Sequence, residues 1–398
     1  MSPLNSYKHI LLLLPFLLIS HFVTLSNSQI PGFPGMCNAD DIKTLLRIKI
    51  QLGNPPSLNS WDIANECCVQ RDGWDAVQCN YDGRIISLSF YWNEDIYKIP
   101  SFLDQLPALV GLTFFSVPNL TGPIPRYIGK LTNLTSLTFS TTNLSGPIPT
   151  FLSRLVKLAN LDLYDNKFSG PVPNFLGRLK GLTFLSLSNN KLTGPIPKSL
   201  GHLTRLETLA LHTNNLSGPI PDFLGQRLSN LNGLVLYNNQ FSGRIPTSLG
   251  LLTRLTYISL FNNQLTGPVP RSLAGGRIAI FRLGNNKLTG DATFLIDKSN
   301  KGVIEVDISN NQFKFDLTNV DLAPRLFTFN ISHNNIYGRL PKLFYRLKDY
   351  FGKYGKYVDI TYNELCGPIP NGRHLKRVNP IFFSHNKCLC GGPLPACK

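Results

Sequence analysis

Residues 158–181 read LANLDLYDNKFSGPVPNFLGRLKG, residues 182–205 read LTFLSLSNNKLTGPIPKSLGHLTR, and residues 206–230 read LETLALHTNNLSGPIPDFLGQRLSN. The three stretches superimpose almost residue on residue, at a period of about 24. Taking the last apolar residue of each L-x-x-L-x-L as a marker extends the pattern in both directions. The markers are Phe90, Phe114, Phe139, Leu163, Leu187, Leu211, Leu236, Leu260, Leu283, Ile308, Ile331 and Ile360. They define twelve repeats, with one irregular interval before the last.

Each part of the unit has a physical role. The L-x-L alternation makes a short strand with leucines inward and the intervening residues outward. An asparagine three residues after the marker, as at Asn166, Asn190, Asn214, Asn239, Asn263, Asn286, Asn311, Asn334 and Asn363, sits where the chain turns in. Its amide can satisfy backbone groups that would otherwise be buried unpaired. The following LTGPIP or LSGPIP uses glycine to permit the turn and proline to stiffen extended backbone. The xxLGxL stretch then returns as a short helix or 3₁₀ segment. Such units are leucine-rich repeats. Stacked, they form an α/β repeat solenoid, a right-handed superhelix with a parallel sheet on its concave side. At ~4.8 Å between strands, twelve of them span roughly 50 Å.

The ends differ from the middle. Lys8, the apolar run ILLLLPFLLIS and the stretch SNS ending at Ser28 form the pattern of a secretory signal peptide. Their apolar core is shorter than the ~20 residues that span a bilayer. The eight cysteines fall into two groups flanking the repeats: Cys37, Cys67, Cys68 and Cys79, then Cys366, Cys388, Cys390 and Cys397. In an exported chain they should pair, and their clustering argues for two bridges at each end, with connectivity left open. Zinc sites favour C-x2-4-C, a spacing that CC and CLC do not have. The expected organisation is a signal peptide over 1–28, an N-terminal cap over 29–80, repeats over 81–365 and a C-terminal cap over 366–398. Solenoid ends expose core unless capped, so CLCGGPLPACK (388–398) reads as a lid. The expected product is a soluble extracellular chain without a membrane anchor.

Charge narrows the partners. Lysine and arginine number 39 against 23 acidic residues, a net +16. Such an excess points to a polyanion, and for an exported chain to an acidic polysaccharide rather than nucleic acid. The repeat pattern places Arg126, Lys130, Arg154, Lys157, Arg178, Lys180, Lys198, Arg205, Arg227, Arg254 and Arg271 in the return segments. Docking on de-esterified pectin is the functional reading of that surface; a solvated basic face is the bland one. No G-x-S-x-G or H-E-x-x-H motif is present, and the expectation is a non-enzyme without cofactor or metal.

CNADDIKTLLRIKIQLGNPPSLNSW, ECC and WDAVQC near the start, with NNKLTGDATFL, VDISNNQFKFDLTNV, NISHNNIYGRLP, ITYNELCGPIPNG and HNKCLCGGPLPACK towards the end, resemble the plant polygalacturonase-inhibiting proteins. These are extracellular leucine-rich-repeat proteins that block pectin-degrading enzymes. The resemblance covers nearly the whole chain after the leader. It implies a secreted cell-wall defence protein that inhibits a fungal or insect endopolygalacturonase through its concave face. It also implies the pairs Cys37–Cys67, Cys68–Cys79, Cys366–Cys388 and Cys390–Cys397. The sequence departs from the family in about two extra repeats, in VQRD after Cys68 and in LKDYFGKYGKY before the last strand.

Since the family's inhibitors bind through the concave strands, the outward positions are the candidates. Tyr91, Phe115, Tyr164, His212, Tyr237 and Phe261 follow their markers as a broken aromatic row, and Val235 and Arg282 precede theirs. Asp162, Asp165 and Glu207 add acidity that could meet basic residues of an enzyme. Lateral packing between strands is the bland account of the aromatics; contact with a partner is the functional one. Sequons at Asn119, Asn133, Asn143, Asn215 and Asn330 predict glycans. A glycan on Asn330 would leave the earlier repeats as the contact surface. The alternatives are a recognition module for a peptide or receptor, and an ice-binding protein using rows of Thr, Ser and Asn, which the aromatics interrupt.

Overall fold

A strand of three residues has too few hydrogen bonds to stand alone, and here each is held by its neighbours in the next repeat. The computed structural model describes residues 37–68, 73–342, 344, 358–371, 375 and 379–398. The expected signal peptide, VQRD and LKDYFGKYGKY lie outside the described residues. Eleven parallel pairings join twelve strands in chain order, from Ile85–Tyr91 to Val358–Asp359. Their in-register residues, such as Leu161, Leu185, Leu209 and Leu234, are fully buried. Each such leucine contributes about 1.5 to 3 kcal/mol through burial. In the first repeats phenylalanines form the spine, with Phe90–Phe114 and Phe114–Phe139 ring centroids 4.7 and 5.5 Å apart.

The turn after each strand is the same throughout. The residue two after the marker takes a left-handed backbone, with φ 55° at Asp165, 53° at Asn189 and 55° at Thr213. The next residue is the ladder asparagine. Asn214 donates to the carbonyls of Leu187, Leu211 and His212 at 3.0, 3.1 and 3.3 Å and accepts from Leu192 N–H at 2.9 Å. One amide thus ties its own turn to that of the preceding repeat. In the second and third repeats Val117 and Thr142 occupy the asparagine position. With no amide there to gather the turn, backbone pairing runs on as Val117↔Thr142, inside two long strands, Gly111–Gly122 and Ser136–Pro147.

The Gly-Pro segments do more than stiffen the chain. Lys167–Pro171, Lys191–Gly194, Asn215–Pro219, Gln240–Arg244 and Gln264–Pro268 pair in parallel from repeat to repeat as a second row of strands. The chain then returns as 3₁₀ turns such as Asn174–Arg178 and Lys198–His202, or as the short helix Phe223–Arg227. These segments pack closely because the sequence supplies glycine. A Cβ on Gly225 would stand 2.1 Å from the Ser248 carbonyl oxygen.

Each end is closed by different chemistry. At the N-terminal end, helix Ala39–Gln51 is capped by Asn38, which accepts from Asp40 N–H at 3.1 Å, and buries Leu45 and Ile48. Its buried Asp41 accepts from Arg84 at 3.0 and 2.9 Å and from Ile85 N–H at 2.9 Å, fastening the helix to the first repeat strand. Disulfides join Cys37–Cys67, Cys68–Cys79, Cys366–Cys388 and Cys390–Cys397. The C-terminal lid imitates a repeat. Strand Cys388–Cys390 pairs with Glu364–Pro368, and Asn386 adds a rung by donating to Ile360 and Phe383 carbonyls at 3.1 and 3.0 Å. Among the described residues no helix is long and apolar enough to cross a membrane.

Candidate protein-binding face

The outward positions of the long sheet do not form one continuous row. Tyr91, 42% exposed, lies 6.2 Å from Phe115, and both touch Trp92 at 5.8 Å. Trp92 was not among the candidates, although FYWNE (90–94) shows three consecutive aromatics. It is 75% exposed and holds a left-handed backbone, φ 49°. Such a conformation is costly for a bulky residue and persists where its surroundings enforce it. Ser140, buried, separates this cluster from the next.

The central cluster is Tyr164, His212 and Tyr237. His212 stacks on Tyr237 at 4.2 Å and 10°, and reaches Tyr164 at 6.1 Å across the intervening repeat. Ser188, beneath that span, is fully buried, and its hydroxyl has no hydrogen-bond partner among the described residues. Phe261 continues the line half-buried over Gly284, where an added Cβ would lie 3.2 Å from its ring.

Burial sets the electrostatics. Half-buried Asp162 accepts from Tyr164 N–H at 3.0 Å, yet desolvation outweighs that bond and raises its carboxyl to about 6. Asp165 is raised by the same cause, against hydrogen bonds from Thr141 and Asn189 that favour its charge. The Tyr164 hydroxyl is raised by burial and by both carboxylates, and burial lowers His212 to about 4. At neutral pH the cluster therefore presents a neutral imidazole between tyrosines with carboxylates beside it. His212 Nδ1 lies 3.2 Å from Thr213 Oγ1, while Asp162 bonds Tyr164 and Ser186. The two side chains thus bond different partners.

Four candidates sit elsewhere. Val235 is 6% exposed, too buried to anchor a partner. Arg282 is committed internally, with its guanidinium at 2.6 and 3.2 Å from both oxygens of Glu305 and 5.8 Å over the Tyr257 ring. Glu207 is exposed at the leading end of strand Thr208–Ala210, outside the aromatic line. Asn330 is 3% exposed, with Oδ1 accepting from Ser332 N–H at 3.1 Å and Ser332 Oγ at 2.8 Å. The folded chain leaves no room for a glycan there, which removes that reason for confining contact to the earlier repeats. Asn119, Asn133 and Asn215 are exposed and Asn143 half-buried.

Residues 38–80 match the leucine rich repeat N-terminal domain, and residues 157–179, 181–203 and 254–275 match the leucine rich repeat. The chain is 45% identical to polygalacturonase inhibitor 2 of Arabidopsis thaliana over 368 residues, 91% of this chain and 93% of that one. It belongs to the polygalacturonase-inhibitor family. The polygalacturonase inhibitor of Pyrus communis is 42% identical, covering 92% and 94% of the two chains. Polygalacturonase inhibitors are inhibitor proteins and not enzymes. Among solved structures, a plant ice-binding protein shares the fold at 33% identity, with a TM-score of 0.59 over 91% of this chain and 98% of that one.

Proposed function

We propose that this protein is exported to the cell wall and inhibits a fungal or insect endopolygalacturonase by laying its concave face over the enzyme's substrate cleft. The Tyr164–His212–Tyr237 cluster carries the reading. Stacked aromatics on an outward strand face, flanked by the Asp162 and Asp165 carboxylates, have the composition of an interface anchor with an acidic rim. Inhibition is occlusion, which needs no cofactor. Dose-dependent suppression of reducing-sugar release from polygalacturonate by at least one enzyme of a fungal and insect panel is expected. Silence across a broad panel contradicts it.

Pectin is the second partner in this reading. The eleven basic residues of the return segments are all exposed. Arg126 and Arg154, with Phe151 and Thr150, line a hollow of about 470 Å³. Two guanidiniums beside an aromatic ring suit a carboxylated sugar. Retention on polygalacturonate that falls with added salt is expected, and retention indifferent to salt rules the electrostatic contact out.

The ice-binding reading has one observation in its favour besides the structural likeness. Thr213, Asn238 and Asn262 form a polar edge row, with side-chain bonds of 3.5 and 2.9 Å. Thermal hysteresis in a cooled solution would establish it. The aromatic clusters beside that row favour the inhibitor.

A further inference from the structure

The outward face of the first three repeat strands differs from the rest of the sheet. Ile85–Tyr91, Gly111–Gly122 and Ser136–Pro147 carry no charged side chain, in a chain of net charge +16. The first charged outward residue along the sheet is Asp162 on the next strand, in register with Thr138. In place of charge these strands present hydroxyls: Ser89, Thr113 and Thr138 align across one row, and Ser87, Gly111 and Ser136 across the next. The Thr113, Ser136 and Thr138 hydroxyls make no hydrogen bond among the described residues, and Gly111 has no side chain to cover its neighbours. At the end of the rows stands Trp92. Six later repeats fill its left-handed backbone position with Asp165, Asn189, Asn238, Asn262, Asn285 and Asn310, short side chains that tolerate it. Trp92 is held there by its N–H, donated to the Phe115 carbonyl at 2.9 Å, and by its ring lying edge-on to Phe115 at 84° between planes. The residue stays 75% exposed. A strained backbone that serves an exposed ring gains no core packing in return, so the use of that ring lies outside the fold.

We propose that this patch binds a neutral polysaccharide, a chain of β-linked glucose, with one pyranose stacked on Trp92 and the sugar hydroxyls meeting Thr113 and Thr138. In β-linked glucose every ring substituent is equatorial. Each ring face is then a sheet of C–H groups that fits an aromatic face, and its edge is a ring of hydroxyls. Serine and threonine suit that edge because each hydroxyl both donates and accepts. A uronate chain would bring carboxylates that find no cation on these strands. A mannose chain would push an axial hydroxyl into the stacking face. The assignment is independent of the inhibitory reading, which rests on Tyr164, His212 and Tyr237, and of the basic hollow between Arg126 and Arg154.

The test titrates the purified full-length protein with cellohexaose, and in parallel with mannohexaose and hexagalacturonate, by calorimetry and by tryptophan emission. Trp61 and Trp74 are 1% and 3% exposed, so a change in emission reports Trp92. Saturable binding of cellohexaose is expected, with a blue shift of the emission and no dependence on salt. W92N should bind about tenfold more weakly or worse. Asparagine suits the left-handed position, so its unfolding midpoint should equal or exceed that of wild type. T113V/T138V, which removes two hydroxyls without breaking a bond inside the protein, should also weaken binding about tenfold and tests the patch should W92N fold poorly. Absence of saturable binding, equal or tighter binding of mannohexaose or hexagalacturonate, or full binding by either variant in its folded state overturns the proposal.

Discussion

Asp162 and His212 lie in one cluster and respond to pH in opposite senses. Burial raises Asp162 from 3.8 to about 6, so the folded state holds the extra proton. Its contribution is fully present below the unfolded value and is lost as pH rises through about 6. Burial lowers His212 from 6.5 to about 4, so the unfolded state holds the extra proton. Its contribution is present above 6.5 and is lost as pH falls through about 4. Between those limits the slopes oppose, and wild-type stability should be nearly flat with respect to this pair. Asp162→Asn should lose stability on acidification across the window, by on the order of 1 kcal/mol per pH unit, and His212→Gln should lose it as pH rises. Urea unfolding across the window checks both, and parallel curves for all three proteins contradict the account. A second residue-scale prediction concerns the ladder. Asn214→Ala strands three carbonyls and one N–H and should cost about 2 to 4 kcal/mol by urea unfolding. The ladder was legible because Asn recurs at a fixed offset from the marker. Arg282 and Val235 were legible only in direction, since alternation says which way a side chain points but not whether Glu305 or a neighbouring strand has already claimed it. Trp92 escaped because it stands one position beyond the column that alternation selects.

At the scale of the element, contacts between repeats decide what a single repeat leaves open. Gly225 shows this, since its φ is ordinary and the need for glycine comes from the Ser248 carbonyl oxygen of the next repeat. Gly225→Ala should therefore cost about 1 to 3 kcal/mol as those segments are forced apart. A thermal midpoint equal to wild type would show that they can shift freely. The second row of strands was not foreseen for the same reason. LTGPIP read alone is a glycine turn and a stiff extended segment, and its hydrogen bonds exist only once a copy lies beside it. The two long strands follow from single substitutions, Val117 and Thr142 where other repeats carry asparagine, and that signal was present in the marker alignment.

At the scale of the whole molecule, each repeat touches its neighbours and little else, so a perturbation at one end should remain there. Removing the Cys366–Cys388 bridge as C366A/C388A should raise amide exchange in Thr328–Asn330 and Val358–Asp359 while Asn160–Asp162 keeps its protection. Uniform loss of protection would mean that the solenoid melts as one unit. The solenoid, its twelve strands and its capped ends were legible because periodicity is a long-range signal carried by every repeat. The occupancy of the face was not, because it depends on which outward side chains bury one another. The central claim is that the face acts through Tyr164, His212 and Tyr237, and inhibition measured for Tyr237→Ala against Arg178→Ala tests it most directly. The account predicts that Tyr237→Ala weakens inhibition about tenfold or more while Arg178→Ala, on a return segment, inhibits like wild type. Unimpaired inhibition by a folded Tyr237→Ala, with loss in Arg178→Ala, would place the enzyme on the opposite side of the solenoid.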